Sequence, residues 1–497
     1  QVAIPSLAPM PRLNVLLDLQ GNRREPDSLD PRLAAFLKRP RVAPPLYTRN
    51  FPLRGHSEIV KVEHHRAHAA SAYYTSDCHQ KQLVLTMDGA GDDVSIALWR
   101  GQGGRLEPLA TFDTRASLGW FYSNVTEALG WWHGDGEGKT MGLAAYGDCN
   151  RTQGVLDPFA PRFCQGELVS PHDFGPLSIW NETGALQWHL PEASQIQELI
   201  ARFGAEHIAA EAQRLLEDEV QNLLFAWLER EDTRNLSAAG GVMLNVKLNQ
   251  RLWDSGKLDH IHIYPNPGDA GLAAGAALCA YYQANPGAKR HSLPDLFLGP
   301  AYGDEEIARI LDLRGVKYRH VEDVESMVAS MLAHGKIVGW MQGRMESGPR
   351  ALGGRSILMS ANHPNHKEIL NARVKFREPF RPFCPSILTE KMGDYLVAPR
   401  ESPFMITSFT CQESRRERVP AVVHVDQTMR PQTVKDGRFA ALIQEFGQLT
   451  GEFLLLNTSM NLMGEPIVNH PREALRCFID SGMDCLVLGN YLVEKSA

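Results

Sequence analysis

None of the eight cysteines in this 497-residue chain stands in a C-x-x-C pair; they fall at positions 78, 149, 164, 279, 384, 411, 477 and 485. That excludes a zinc ribbon and a thioredoxin-type redox site. Scattered cysteines in so long a chain read as reduced thiols of a cytoplasmic protein. Long hydrophobic runs are missing too. The longest uncharged apolar stretch, 270–282, is too short to span a bilayer and rich in Ala and Gly, so it reads as a tightly packed buried helix. No signal-peptide pattern, repeat or low-complexity tract is seen. Positive charge is not in excess: 51 basic against 58 acidic residues give a net charge of −7. Nucleic-acid surfaces carry clustered cations, so neither a nucleic-acid partner nor a membrane is expected. Apolar content of 43 % and charged content of 22 % suit a globular chain of two or three domains.

Residues 1–58 are rich in Pro and Arg and weakly periodic. Beyond them the patterns sharpen. A strand is expected at 58–62, a helix at 64–74, a buried strand at 82–87 and its hairpin partner at 94–99. Residues 120–131 have helical spacing, 149–190 look irregular, like an insertion, and 193–230 fit two helices, the second long and amphipathic. A strand at 236–239 enters Gly240-Gly241. The loop-like 284–300 marks a domain boundary, giving domains 1–290 and 291–497. The second region opens with a helix at 304–312, has clear strands at 336–341 and 453–456, and alternates helices and strands as α/β proteins do.

Three motifs in the first region suggest a divalent-ion site: His64-His65-Arg66-Ala67-His68, Asp88-Gly89-Ala90-Gly91-Asp92, and Pro267-Gly268-Asp269. Histidines four apart share a helix face. Imidazole with carboxylate suits a catalytic ion with open positions. Alone, His64/His68 is more often a surface or capping pair, and His65/His68 competes with it; Asp88 and Asp269 in glycine contexts favour ligation. Asp88-Gly89 through Asp92-Asp93 fits a hairpin turn as well as a phosphate loop in which Gly89 and Gly91 offer amides. Gly240 and Gly241, leading to Asn245, permit close approach of a nucleotide or of a packed helix. Lys139 follows Gly138 but lacks the glycine spacing of a Walker A loop.

The second region gathers cations in turns pinned by glycine and proline. These are 343–356 with Arg344 and Arg350, 374–383 with Lys375 and Arg381, 428–434 with Arg430, and 456–461 with Asn457 and Ser459. Arginine forks bind phosphate and carboxylate oxygens bidentately. Any one of them reads as a surface salt bridge, but four such turns in one domain favour an anion pocket.

With these residues in place, the chain resembles the O-carbamoyltransferase family, which includes nodulation carbamoyltransferases and antibiotic-pathway enzymes that carbamoylate tobramycin. The resemblance runs from about Val60 to Val493. It rests on 64–74, Ser117-Leu118-Gly119, 138–144, Gly240-Gly241-Val242 with Asn245, and the four turns. It implies an α/β chain: an actin-like (ASKHA) ATPase lobe followed by a YrdC-like α/β domain with a twisted mixed sheet. It implies metal ligation by His64, His68, Asp88 and Asp269, with iron the family expectation and manganese or zinc the alternatives. It assigns the carbamoyl-phosphate and nucleotide pocket to Arg350, Lys375, Arg381, Arg430 and Asn457, to which motif position adds Arg344 and Ser459. The nucleotide contacts of the first lobe would involve Gly89, Gly91, Lys139, Gly240, Gly241 and Asn245.

The implied substrates are carbamoyl phosphate, ATP with magnesium and a hydroxylated small-molecule acceptor such as an antibiotic, and a homodimer is compatible. Carbamoyl adenylate would be the intermediate. For its general base, Asp92 and Asp135 are candidates that fit turn caps equally well. Two departures stand out. The family's opening strand–turn–strand has no counterpart before His56, so it is expected to be missing from the protein or from the sequence. Met463 replaces a basic residue before Gly464-Glu465-Pro466. The hydrogenase-maturation carbamoyltransferases place the YrdC-like module first and carry C-x-x-C fingers, unlike this chain. A tRNA threonylcarbamoyl enzyme is disfavoured by the acidic charge, and a non-catalytic nucleotide-binding scaffold would not need both metal set and arginine pocket.

Overall fold

The computed structural model describes residues 59–173, 190 and 192–495, with the backbone of short strands at Val2–Pro5, Leu16–Leu17, Arg23–Arg24, Leu177–Trp180 and Leu186–His189. The family hairpin sought before His56 otherwise falls outside these residues. Contacts divide the chain into two units, 1–244 with 251–292, and 245–250 with 293–497.

In the first unit, β1 (Ile59–Val62) leads into α1 (His64–Thr75). Glu63 caps α1, its carboxylate accepting from the amides of His65 and Arg66, and eleven of the twelve residues are buried. Only small side chains permit this. Ala67, Ala69, Ala70 and Ala72 have no exposed surface, and a Cβ on Gly275 of α6 (Leu272–Ala284) would fall 1.9 Å from the Ala67 carbonyl oxygen. The 270–282 stretch is thus a helix, but not a fully buried one. Ala273, Ala274, Ala277 and Tyr281 face solvent, because alanine costs little in either environment.

Behind α1 lies a five-stranded sheet. Its strands are β2 (Gln82–Gly91), β3 (Val94–Gln102), β4 (Arg105–Asp113), β5 (Asn235–Ala239) and β6 (His260–Ile263), in the order β6-β5-β2-β3-β4. The β2-β3-β4 meander is antiparallel, whereas β5 runs parallel to both β2 and β6. Between β4 and β5 come α2 (Leu118–Ala128), α3 (Glu137–Ala144), α4 (Ala193–Phe203) and the 26-residue α5 (Ala205–Arg230). The region expected to be irregular contains two small antiparallel hairpins, Arg162–Cys164 with Glu167–Ser170 and Leu177–Trp180 with Leu186–His189.

The second unit is built on an eight-stranded mixed sheet. Its strands are β7 (Tyr318–His320), β8 (Val338–Met341), β9 (Arg355–Met359), β10 (Cys384–Leu388), β11 (Gln432–Val434), β12 (Leu454–Ser459), β13 (Cys485–Leu488) and β14 (Tyr491–Glu494). They lie in the order β7-β14-β13-β8-β9-β12-β10-β11. Side chains alternate faces along a strand, and both faces here are covered, so the central strands are continuous apolar runs. Ile357, Met359, Leu454, Leu456, Leu486 and Leu488 pack with α7 (Asp304–Leu313) and α10 (Pro471–Ile479). Leu358, Leu455, Val487, Val338 and Trp340 pack with α8 (Val324–Ala333) and α9 (Gly437–Thr450). No described helix is long and apolar enough to cross a membrane.

Candidate functional site: a His–Asp group and an arginine pocket

The end of β2 carries the first site. Its pairing with β3 shifts register between Met87 and Gly91, so Asp88, Gly89 and Ala90 leave the ladder. The hairpin turn itself falls later, at Asp92 and Asp93, both with positive φ as a type I′ turn requires. Asp88 is therefore free of the turn chemistry that a reading of Asp88-Gly89 as the turn would assign it.

Four groups converge there. His68 Nε2 lies 3.1 Å from Asp88 Oδ2 and 3.5 Å from Asp269 Oδ1, and His64 Nε2 lies 3.6 Å from each of those oxygens. All four ligating atoms lie within 4.8 Å of one another. Atoms bound about 2.1 Å from one ion stand roughly 3–3.4 Å apart, and the four His–carboxylate distances of 3.1–3.6 Å come close to that spacing, as suits a divalent cation. His64 Nε2 is buried and has no hydrogen-bond partner, an orphan that ligation would satisfy. Burial opposes a charge on His68, but hydrogen bonds to Asp269 and Asp88 outweigh it and push the imidazole up to about 9. Burial likewise opposes the Asp88 carboxylate, yet the adjacent imidazoles of His64 and His68 hold it well below the usual range.

The competing pair His65/His68 is resolved by the turn geometry. His65 bonds Thr86 Oγ1 and the Val94 carbonyl, both at 2.9 Å, clamping α1 to the sheet, and burial beside His64 pushes it down to about 4. Asp92 accepts the His64 amide at 2.9 Å and so completes the cap of α1, a role that counts against its being a general base. The glycines make room. A Cβ on Gly91 would lie 2.2 Å from the His64 ring, one on Gly240 2.1 Å from the Met87 carbonyl, and one on Gly241 3.0 Å from Asp88 Oδ1; Gly89 faces the Trp120 indole. Lys139 sits on α3 with its ammonium 5.9 Å from the Trp131 ring centre. Asn245 caps the following helix through the Leu248 amide, at 3.0 Å.

In the second unit the turns converge on charge. Glu346, 2 % exposed, accepts the amides of Leu352, Gly354 and Arg355 on one oxygen and thereby shapes the loop that carries Arg350. Burial, the neighbouring Arg430 and Arg381 push the Arg350 guanidinium down to about 9, and its Nε is enclosed without a partner. Arg377 is likewise pushed down to about 9 by burial and then by Arg381 and Arg430. It stacks 4.0 Å over Phe383. Lys375 ends a π-helical turn, Asn371–Lys375, and its Nζ lies within hydrogen-bonding distance of the Ser459 carbonyl (2.5 Å), Asn461 Oδ1 (2.7 Å) and the Asn461 carbonyl (3.2 Å). Burial and Arg377 push it down to about 7. Arg381 is held by Glu378 at 3.5 Å.

Asn457 is 1 % exposed. Its Nδ2 donates to the Ala351 carbonyl (3.1 Å) and Ser386 Oγ (2.9 Å), while its Oδ1 has no partner. Because Ala351 can only accept, the amide orientation is fixed. Arg344 is exposed and donates to the Leu298 carbonyl at 2.7 Å. Sequence reasoning singled out neither Arg377 nor Cys384, which both couple to Arg350 or its neighbours; their signal was proximity to Lys375 and Arg381 in one turn. The fully buried Arg355 bonds the carbonyls of Gln342, Gly343, Gly354, Pro300 and Asn469, which makes it a structural cation.

Two family models match the chain: carbamoyltransferase N-terminus over residues 46–278 and carbamoyltransferase C-terminus over 329–495. Nodulation protein NolO of Bradyrhizobium diazoefficiens is 35% identical over 447 residues, covering 87% of this chain and 79% of that protein. Nodulation protein NolNO of Sinorhizobium fredii is 37% identical over 450 residues, 88% of this chain and 64% of the relative's length. Nodulation protein U of the same organism is 31% identical over 434 residues, 83% and 74%. Full-length HypF in the phosphate- and nucleotide-bound form aligns over 49% of this chain and 46% of its own, at 16% identity and a TM-score of 0.29, too distant to bear on function. Matches to both halves, and relatives collinear over most of its length, place the chain in the carbamoyltransferase family, as a transferase.

Proposed function

We propose that this protein is an ATP-dependent O-carbamoyltransferase that activates carbamoyl phosphate as carbamoyl adenylate and passes the carbamoyl group to a hydroxyl of a small-molecule acceptor. One observation carries the reading: a half-buried cluster of Arg350, Arg377, Arg381 and Arg430 that keeps one unpartnered donor, Arg350 Nε, and one unpartnered acceptor, Asn457 Oδ1. Carbamoyl phosphate is complementary to both. Its phosphate needs fixed cations and its NH2 group needs an acceptor.

Water releases inorganic phosphate and leaves carbamate. A carbamate oxygen then attacks the α-phosphorus of ATP, which arrives with magnesium, and pyrophosphate departs. Arg350, Lys375, Arg381 and Arg430 bind and orient these anions, and the buried setting limits hydrolysis of the mixed anhydride.

Transfer is assigned to the first unit. Its sheet, an antiparallel meander continued by two parallel strands, supports the actin-like reading, while the mixed eight-stranded sheet is the YrdC-like candidate. His64, His68, Asp88 and Asp269 would hold a divalent ion, iron by family expectation, which when bound supplies Lewis-acid polarisation. The acceptor oxygen attacks the carbonyl carbon and AMP leaves. Gly240 and Gly241 let their turn pack directly on Met87 and Asp88.

The test is product analysis. With ATP and carbamoyl phosphate the protein should release pyrophosphate, and mass spectrometry over a panel of hydroxylated metabolites should find a product heavier by one carbamoyl group. His68→Ala should abolish transfer and spare pyrophosphate release, whereas Arg381→Ala should abolish pyrophosphate release. Equal loss of pyrophosphate release in both variants refutes the division of labour; none from the parent protein refutes the reaction.

A further inference from the structure

Arg430 sits among like charges, and its guanidinium is tied to one atom. Nε lies 3.1 Å and Nη2 2.7 Å from Cys384 Sγ. Cys384 opens β10, is 6 % exposed, and stands directly across the β10–β12 ladder from Asn457, whose Oδ1 is unpartnered. The sulfur is thus fixed on the sheet floor of the arginine cluster, beside the open acceptor. Burial leaves the neighbouring Arg350 and Arg377 guanidiniums short of counter-charge.

The chemistry of sulfur suits that place. A guanidinium with no acceptor would turn freely or swing to solvent. A carboxylate would hold the fork but neutralise it and repel an incoming phosphate. A thiol sulfur is a weak acceptor that holds direction and leaves the charge available. We propose that Cys384 is a positioning residue of the anion pocket, holding the Nε–Nη2 edge of Arg430 so that its Nη1–Nη2 edge meets the substrate phosphate with its charge unspent. This rests on the carbamoyl-phosphate reading above.

The test uses the full chain and inorganic phosphate in calorimetric titrations, with melting curves as a control of folding. Cys384→Ala should weaken phosphate about tenfold, as losing a hydrogen bond to a charged group does, and raise KM for carbamoyl phosphate with kcat kept. Cys384→Ser, which keeps an acceptor, should stay within about threefold, and Cys384→Asp should lose roughly 100-fold or more through neutralisation and repulsion. In an Arg430→Ala background Cys384→Ala should change nothing further.

Wild-type affinity in C384A, or the same loss with and without Arg430, overturns the inference. Should C384A fail to fold, the other pair decides: C384D binding phosphate as tightly as C384S overturns it. If R430A itself binds phosphate like the parent protein, the pocket reading falls and takes this inference with it. If R430A loses phosphate and C384A does not, the pocket stands and only the role of Cys384 falls.

Discussion

Replacing Gly91 by alanine tests the His–Asp group through a single contact. No positive φ constrains Gly91, so alanine can adopt its backbone and the cost is steric alone. The new Cβ would meet His64 Cγ and Cδ2 at 2.2 Å. Carbon atoms settle at about 3.5 Å, so the ring must retreat by roughly 1.3 Å. Metal ligands tolerate about 0.2 Å. His64 would leave the set while His68, Asp88 and Asp269 remain. Metal affinity should fall at least about 10- to 100-fold, the range seen when a ligand loses its support. Overpacking should cost a further ~1–3 kcal/mol, a melting shift of roughly 2–10 °C. Titration with manganese or iron(II), followed by calorimetry and by metal-induced thermal stabilisation, reads both. Gly138→Ala is the control: a Cβ there meets nothing within 4 Å on the exposed face of α3, and the change should be neutral or stabilising by about 0.5–1 kcal/mol. If Gly91→Ala binds metal and melts like the parent protein, His64 is not a ligand held by this packing.

Lys375 gives a pH prediction. Its amine is pushed down to about 7, below its unfolded value near 10.4, so between those values the unfolded chain binds the extra proton. This lysine therefore costs stability below pH 7, and the cost fades as pH rises from about 7 towards 10. A phosphate nearby favours the charged form, so phosphate binding at pH 8 should take up a proton, seen as a dependence of binding enthalpy on buffer ionisation; no uptake refutes a neutral Lys375 in the pocket. Glu346→Ala should destabilise the second unit by about 1–3 kcal/mol, because three buried amides lose their acceptor; denaturant titration measures it. Phe376 is 59 % exposed with φ 46°. Left-handed backbone costs a non-glycine residue about 1–2 kcal/mol, partly offset by glycine's unfolded entropy, so Phe376→Gly should raise stability by up to ~1 kcal/mol. An unchanged or lower melting temperature would mean that the phenyl ring makes contacts worth more than the strain.

Much of this was legible from residue order. The i, i+4 spacing of His64 and His68 selects one helix face whatever the fold, and apolar runs such as Leu454-Leu455-Leu456 and Cys485-Leu486-Val487-Leu488 announce strands covered on both sides. Glycine and proline around Arg350, Lys375 and Arg430 mark turns, since few other residues stabilise them. Long-range geometry was not legible. Nothing local says that Asp269 comes within 3.6 Å of His64 across two hundred residues, or that His65 turns inward to the sheet while its neighbour joins the carboxylates. Cys384 looked like one more scattered thiol until strand pairing set it opposite Asn457 and beneath Arg430. Sequence fixes periodicity and backbone preference because these are properties of neighbouring residues. Convergence of charges depends on sheet order and register, which are decided only when distant strands bury their apolar faces together.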